Sequence, residues 1–128
     1  MLEGKVAILA GGSTLESEVL VHFGVTPYFI IYDPATKKWE AAENPGAKLE
    51  SSRGITAAEF LIGKGVKHVI TVLIGPKPFE TLTSHGVKLH PGVKLSVQQV
   101  IESIEKGNLQ MPLKASTEPA HLGKEGGC

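Results

Sequence analysis

Arginine, aspartate and cysteine are almost missing from this chain. Its 128 residues hold one of each, Arg53, Asp33 and Cys128, beside twelve lysines and twelve glutamates. A lone cysteine excludes a disulfide framework within the chain. A lone aspartate, followed at once by the turn residue Pro34, leaves the strand ends without the clustered carboxylates that a two-metal nuclease needs. Arginine is the side chain suited to bidentate contact with phosphate or carboxylate, so its single occurrence marks Arg53. Thirteen cations cancel thirteen anions, and the isoelectric point is near 7. No long-range field therefore draws nucleic acid or an anionic membrane to the surface. No apolar run approaches 18 residues, and Leu2-Glu3-Gly4-Lys5 does not open a signal peptide. The expectation is a soluble, cytoplasmic protein of one domain that binds neither nucleic acid nor membrane.

What is present alternates between strand and helix patterns. Lys5–Ala10 is a short apolar run that stops at Gly11-Gly12-Ser13. Pro27–Asp33, rich in aromatic and β-branched residues, is followed by turn chemistry at Pro34–Lys37 and then Lys38–Glu43. This pair reads as a hairpin with an exposed second arm. Ile55, Ala58, Leu61 and Ile62 share a helical face, with either Ser52 or the Thr56/Glu59 capping box as its start. His68–Ile74 has the continuous apolar character of a parallel strand covered on both faces. Gly75-Pro76-Lys77-Pro78-Phe79 opens a second helix that Gly86 ends, and Gly86–His90 is a short strand. Ser96 and Gln99 have capping-box spacing before Val97, Val100, Ile101 and Ile104, and Gly107 follows. The order β-β-β-α-β-α-β-α predicts an α/β fold with a mixed sheet in three layers. Residues 1–109 form the domain, and residues 110–128 read as a polar, flexible tail ending in Cys128.

In such a sheet, ligands sit outside the carboxyl ends of the parallel strands. Gly11, Gly12 and Ser13 fall there, as do Gly75, Pro76 and Lys77, then His90, Pro91 and Gly92. Arg53 and Gly54, placed just before the first helix, should lie on the same side. Glycines allow close backbone approach and helix N-termini carry partial positive charge, so this edge suits an anion. The same glycines also serve ordinary strand-to-helix turns, and spacing does not separate the two readings. His22, in the run His22-Phe23-Gly24, could ligate a metal or donate to an anion. A lone histidine beside aromatics is more often a packed residue. His68 and His85 read as structural. No catalytic set is visible: Cys128 lies at the end of a tail, where a thiol cannot be held for nucleophilic attack, and neither a dinucleotide fingerprint nor a Walker loop occurs.

Three stretches resemble a known family. "LESEVLVHFGVTPYFIIYD", "RGITAAEFLIGKGVKHVITVLIGPKPFETLTSHGVKLHPG" and the "SVQQVIESIEKGNL" helix look like the dinitrogenase iron-molybdenum cofactor biosynthesis family, of NifX and NifB C-terminal type. The resemblance spans residues 5–109. Its most specific pieces are Ser17-Glu18, His22-Phe23-Gly24 with Pro27-Tyr28-Phe29, Gly54 with Ala57-Ala58-Glu59, and Ile74-Gly75-Pro76. It implies a ribonuclease H-like fold without nuclease activity and a non-enzymatic carrier of an iron-sulfur or iron-molybdenum cluster precursor, with no nucleotide. It makes His22 the best candidate ligand or hydrogen-bond donor, and His121 with Cys128 resembles the histidine- and cysteine-bearing tail of some relatives. One thiol cannot supply the ligands of a common cluster. The rest must come from a second chain in a homo-oligomer, from histidine, or from sulfide and small thiols. Metallocluster donor and acceptor proteins are the implied partners. Two other readings stay open: a regulatory module that binds a small anion or nucleotide without metal, and a hydrolase on the same fold.

Overall fold

Alternation along the first strand decides the layering. In β1 (Lys5–Ala10) the residues Val6, Ile8 and Ala10 face one way, Ala7 and Leu9 the other, and all five are buried. A strand buried on both sides needs a layer on each side. The structure, a computed structural model, describes residues 3–91 and 96–107. Within them β2 (Tyr28–Asp33) and β3 (Lys38–Glu43) form the antiparallel hairpin, and β4 (Val66–Thr71) and β5 (Lys88–Pro91) run parallel to β1. The sheet order is β3-β2-β1-β4-β5. This is the mixed sheet and the element order that the sequence patterns imply.

Helices α1 (Arg53–Gly63) and α2 (Pro76–Ser84) cover one face, where Ala57, Ala58, Leu61 and Leu82 pack with Leu9, Phe29, Ile31, Val69 and Leu89. Helix α3 (Val97–Glu105) covers the other, with Val97, Val100, Ile101 and Ile104 against Val6, Ile8, Ile30, Tyr32 and Ile70. Each fully buried aliphatic side chain stabilises by about 1.5–3 kcal/mol. β3, with five of its six residues exposed, is an edge strand, and its charged residues Lys38, Glu40 and Glu43 suit that position.

Several boundaries differ from the sequence expectation, each for a physical reason. β4 starts at Val66 and stops at Thr71, because Val72 and Leu73 turn away to bond the Val21 carbonyl. β5 is Lys88–Pro91 where Gly86–His90 is expected. Gly86, at φ 79°, and Val87, whose N–H bonds back to Leu82 O, still belong to the turn that ends α2, while Pro91 pairs with Thr71 at the other end. Arg53 and Gly54 do not precede α1 but are its first two residues. Thr56 lies inside the helix, with its N–H bonded to the Ser52 carbonyl. The capping box expected at α3 is formed in both directions between Ser96 and Gln99. Gly92, residues 108–109, the tail 110–128, His121 and Cys128 lie outside the described residues.

Candidate functional site

Parallel pairing brings the carboxyl ends of β1, β4 and β5 to one edge of the sheet, and the N-termini of all three helices follow to the same edge. What the chain does between β1 and β2 organises this edge. After Gly11, whose N–H donates to the Glu18 carbonyl at 3.1 Å, the chain returns to β1 through the Ala10–Val19 bridge and the bond from Leu20 N–H to Leu9 O. It then crosses to β4. The Val21 carbonyl accepts from Val72 N–H (3.3 Å), Leu73 N–H (2.8 Å) and the hydroxyl of the fully buried Thr71 (3.2 Å). Phe23 N–H donates to Leu73 O at 2.9 Å, and His22 is bridged to Leu73. His22 is thus carried two residues from Gly75, at the start of α2. Thr71 carries no motif in the sequence, so its part in holding this crossing is legible only in the fold.

Phe23 supplies the anchor. Its ring is fully buried and lies 5.6 Å from that of Phe29, so it holds the segment down by packing and presents no surface to a ligand. Gly24 is buried beside it, while Val21 and Val25 on either side are about two-fifths exposed. His22 is half-buried. The other described histidines are committed. His68 Nδ1 and His90 Nε2 are 3.1 Å apart, His68 Nε2 is 3.0 Å from the Glu3 carbonyl, and His85 Nδ1 is 2.9 Å from the Thr81 carbonyl. Among the described residues no hydrogen bond or ion pair engages the His22 ring.

The three helix N-termini differ in what they offer an anion. At α3 the first N–H groups are taken: Val97 bonds Ser17 O, Gln98 bonds Leu15 O and Gln99 bonds the Ser96 hydroxyl. At α2 the N-cap is Gly75, but Pro76 and Pro78 have no N–H, so Lys77 supplies the main-chain donor together with its exposed ammonium. At α1 the N-cap Ser52 lies in the left-handed region (φ 58°) and its side chain caps nothing. Among the described residues no acceptor is bonded to the N–H of Gly54 or Ile55, which leaves α1 the most open terminus. The Arg53 guanidinium is folded back, its Nε donating to Leu49 O. Gly12 is closely approached by Ser17, whose Oγ would stand 2.9 Å from an added Cβ, and Ser13 is exposed next to it. Gly11, Gly12, Ser13, His22, Gly24, Gly75, Pro76 and Lys77 therefore gather around the ends of β1 and β4, with Arg53 and Gly54 at the same edge of the sheet. No hydrogen bond or ion pair joins Arg53 or Lys77 to His22 among the described residues.

Among the described residues no three His, Cys, Asp or Glu side chains converge to enclose a metal. What this arrangement can do is hold an anion by main-chain donors, the His22 imidazole and nearby cations. A three-layer α/β protein with an open, donor-lined carboxyl edge is the class these features define.

The chain belongs to the dinitrogenase iron-molybdenum cofactor family, whose model matches residues 4–107. It is similar to the apo form of the orange protein from Desulfovibrio gigas, at 30% identity and TM-score 0.79 over 88% of this chain and 98% of that one. It is also similar to a Thermotoga protein described as a NifB protein of the DUF35 family, at 34% identity and TM-score 0.73 over 84% and 91%. A Methanocaldococcus jannaschii protein described as a dinitrogenase shares the fold at 15% identity, with TM-score 0.63 over 89% and 98%. A search of curated proteins finds no match. No helix among the described residues is long and apolar enough to cross a membrane.

Proposed function

We propose that the protein is a non-enzymatic carrier or insertion protein for an anionic iron-sulfur or iron-molybdenum cluster precursor, held at the carboxyl edge and passed from a donor protein to an acceptor. The observation that carries this reading is the crossing of residues 19–23 onto β4, which bridges His22 to Leu73, two residues before the Gly75-Pro76-Lys77 turn, with no hydrogen bond to its ring among the described residues. The family's name and the similarity to the orange protein support a cofactor-related role. A single histidine with no converging co-ligands among the described residues suits cargo that must be released, because a closed protein ligand set would hold it too firmly. His22 is the protein ligand or donor in this reading. Gly11, Gly12, Ser13, Gly24, Gly54 and Gly75 supply backbone approach, Arg53 and Lys77 supply charge, and Cys128 and His121 are further candidate ligands. The carrier acts in the cytoplasm, and a second chain could complete the ligand set.

Anaerobic reconstitution with iron and sulfide, with and without molybdate, tests this by metal analysis and visible absorption. Bound metal is expected in the wild type, with a marked loss when His22→Ala and Cys128→Ser are combined. No bound metal in the wild type refutes the carrier reading, and undiminished binding in the double variant refutes the ligand assignment.

The open N-terminus of α1 favours a second reading, a regulatory module that binds a small anion without metal. Calorimetry against phosphate-bearing ligands in the presence of a chelator separates the two: heat of binding there supports the second reading, and its absence removes it.

A further inference from the structure

One side chain ties the His22 loop to the start of α1, and its chemistry is dictated by what it bonds. Asn44 directly follows β3 and is 5% exposed. Its Nδ2 donates to two carbonyls of the loop, Gly24 O at 3.2 Å and Thr26 O at 2.9 Å, while its Oδ1 accepts from Gly46 N–H at 2.9 Å. The main chain is committed as well: Asn44 N–H donates to Pro27 O at 3.0 Å, and Ala47 N–H donates to Asn44 O at 3.2 Å. Only a primary amide offers two donors and an acceptor in this space. A carboxylate has no donor for the two carbonyls, and a hydroxyl has only one.

Beyond Asn44 the contact continues to the helix. Gly46 is buried against α1 so closely that an added Cβ would run into the Arg53 carbonyl. On the other side, the Thr26 hydroxyl lies 3.2 Å from Ala10 O and 3.1 Å from Tyr28 O, hooking the loop to the end of β1 and the start of β2. A continuous path therefore runs from the loop of His22, through the Asn44 amide and Gly46, to the first residue of the helix with the open N–H groups.

We infer that Asn44 is a positioning residue of this edge, setting the separation between the His22 loop and the N-terminal turn of α1. The inference deepens the carrier reading and rests on it for its functional meaning, but the clamp itself is measurable in the empty protein. Binding to groups already held in place avoids the cost of ordering them, so releasing this clamp weakens the hold on cargo without removing a ligand.

The test compares wild type with Asn44→Asp, which keeps an oxygen for Gly46 N–H and withdraws both donors from the loop. Asn44→Ser serves if the buried carboxylate prevents folding. Val100→Ala, in the α3 layer on the opposite face, is the control for general destabilisation. In the empty protein, amide hydrogen exchange should speed up at Phe23 by about tenfold or more, the change expected when both loop hydrogen bonds are lost. Exchange in β1 and β4 should stay at the wild-type rate. Anaerobic loading with iron and sulfide should show an apparent affinity about tenfold weaker in the Asn44 variant and unchanged in Val100→Ala. Equal loading in wild type and the Asn44 variant overturns the inference. So does exchange that accelerates equally across β1 and β4, which marks Asn44 as a general support of the fold. If the wild type takes up no metal, the carrier reading fails, and the exchange at Phe23 alone decides whether the clamp exists.

Discussion

His68 and His90 form a buried pair whose tautomers follow from one carbonyl. Glu3 O can only accept, so His68 Nε2 carries the proton, its Nδ1 is the acceptor, and His90 Nε2 donates to it. The pKa of His68 is lowered from 6.5 by burial, with the nearby Lys88 adding to the shift and the bond to Glu3 opposing it. The unfolded chain therefore takes up a proton more readily than the folded one. The His68 contribution to stability is complete above about pH 6.5 and is lost as pH falls below it. Denaturant unfolding at pH 8 and pH 5.5 should show this loss, and His68→Gln should flatten it; a wild type more stable at pH 5.5 would refute the assignment. Tyr32 has the opposite sign. Burial, and then its 2.7 Å hydrogen bond to the Glu105 carboxylate, push its hydroxyl up from 10 to about 12. Its contribution is present below pH 10 and is lost as pH rises through 12, a dependence that Tyr32→Phe should remove from alkaline unfolding curves. At Gly46 an alanine should cost about 1–3 kcal/mol, because its Cβ meets the Arg53 main chain rather than a movable side chain. A melting temperature equal to wild type would contradict that packing.

Among the elements, α3 was the most legible. Its capping box and its apolar spacing lie within one short stretch of chain, and both form as the spacing implies. Ser96→Ala should cost about 1 kcal/mol in denaturant unfolding. The hairpin was equally plain, yet Lys37 in its turn adopts φ 61°, a conformation that costs a side-chain-bearing residue. Lys37→Gly should raise stability by about 0.5–1 kcal/mol, since relief of that strain exceeds the entropy glycine adds to the unfolded chain. A drop in stability would mean that the Lys37 side chain makes a contribution of its own. The start of α1 was less legible. Ser52 and Thr56 both have capping chemistry, and the choice went to Ser52 as the N-cap position without a side-chain bond. The close packing of Gly46 on the Arg53 backbone, which no local pattern signals, sits at that start.

At the scale of the whole molecule, one central sheet is shared by two apolar layers, so neither layer can open alone without exposing the strands between them. Leu61→Ala in the α1 layer should cost about 2–5 kcal/mol and Ile104→Val in the α3 layer about 0.5–1.5 kcal/mol. The two sites lie on opposite faces, so the double variant should show the sum of the two costs within about 0.5 kcal/mol, in a single unfolding transition. Two separate transitions in calorimetry would show that the layers are independent. A balanced charge also predicts that unfolding midpoints change little with added sodium chloride. The one salt bridge found among the described residues, Lys64–Glu40 at 3.8 Å, is exposed on both sides.

The sequence by itself determined the order of the elements, the split of apolar side chains between two faces, and the helix stops at Gly86 and Gly107; for the first helix it offered both Gly63 and Gly65. Period-2 and period-3.6 patterns and glycine turns are set by residues a few positions apart, so they can be read along the chain. Tertiary structure alone decided the state of His22, Asn44 and the His68–His90 pair. What each of these side chains meets depends on the groups that the sheet order places beside it, and those come from distant positions: the Leu73 main chain bridges His22, Gly24 O accepts from Asn44, and Glu3 O meets the His68 ring. The residue types at the carboxyl edge were visible from the start. The arrangement that carries His22 beside the Gly75 turn exists only once β1, β4 and the chain between β1 and β2 have met.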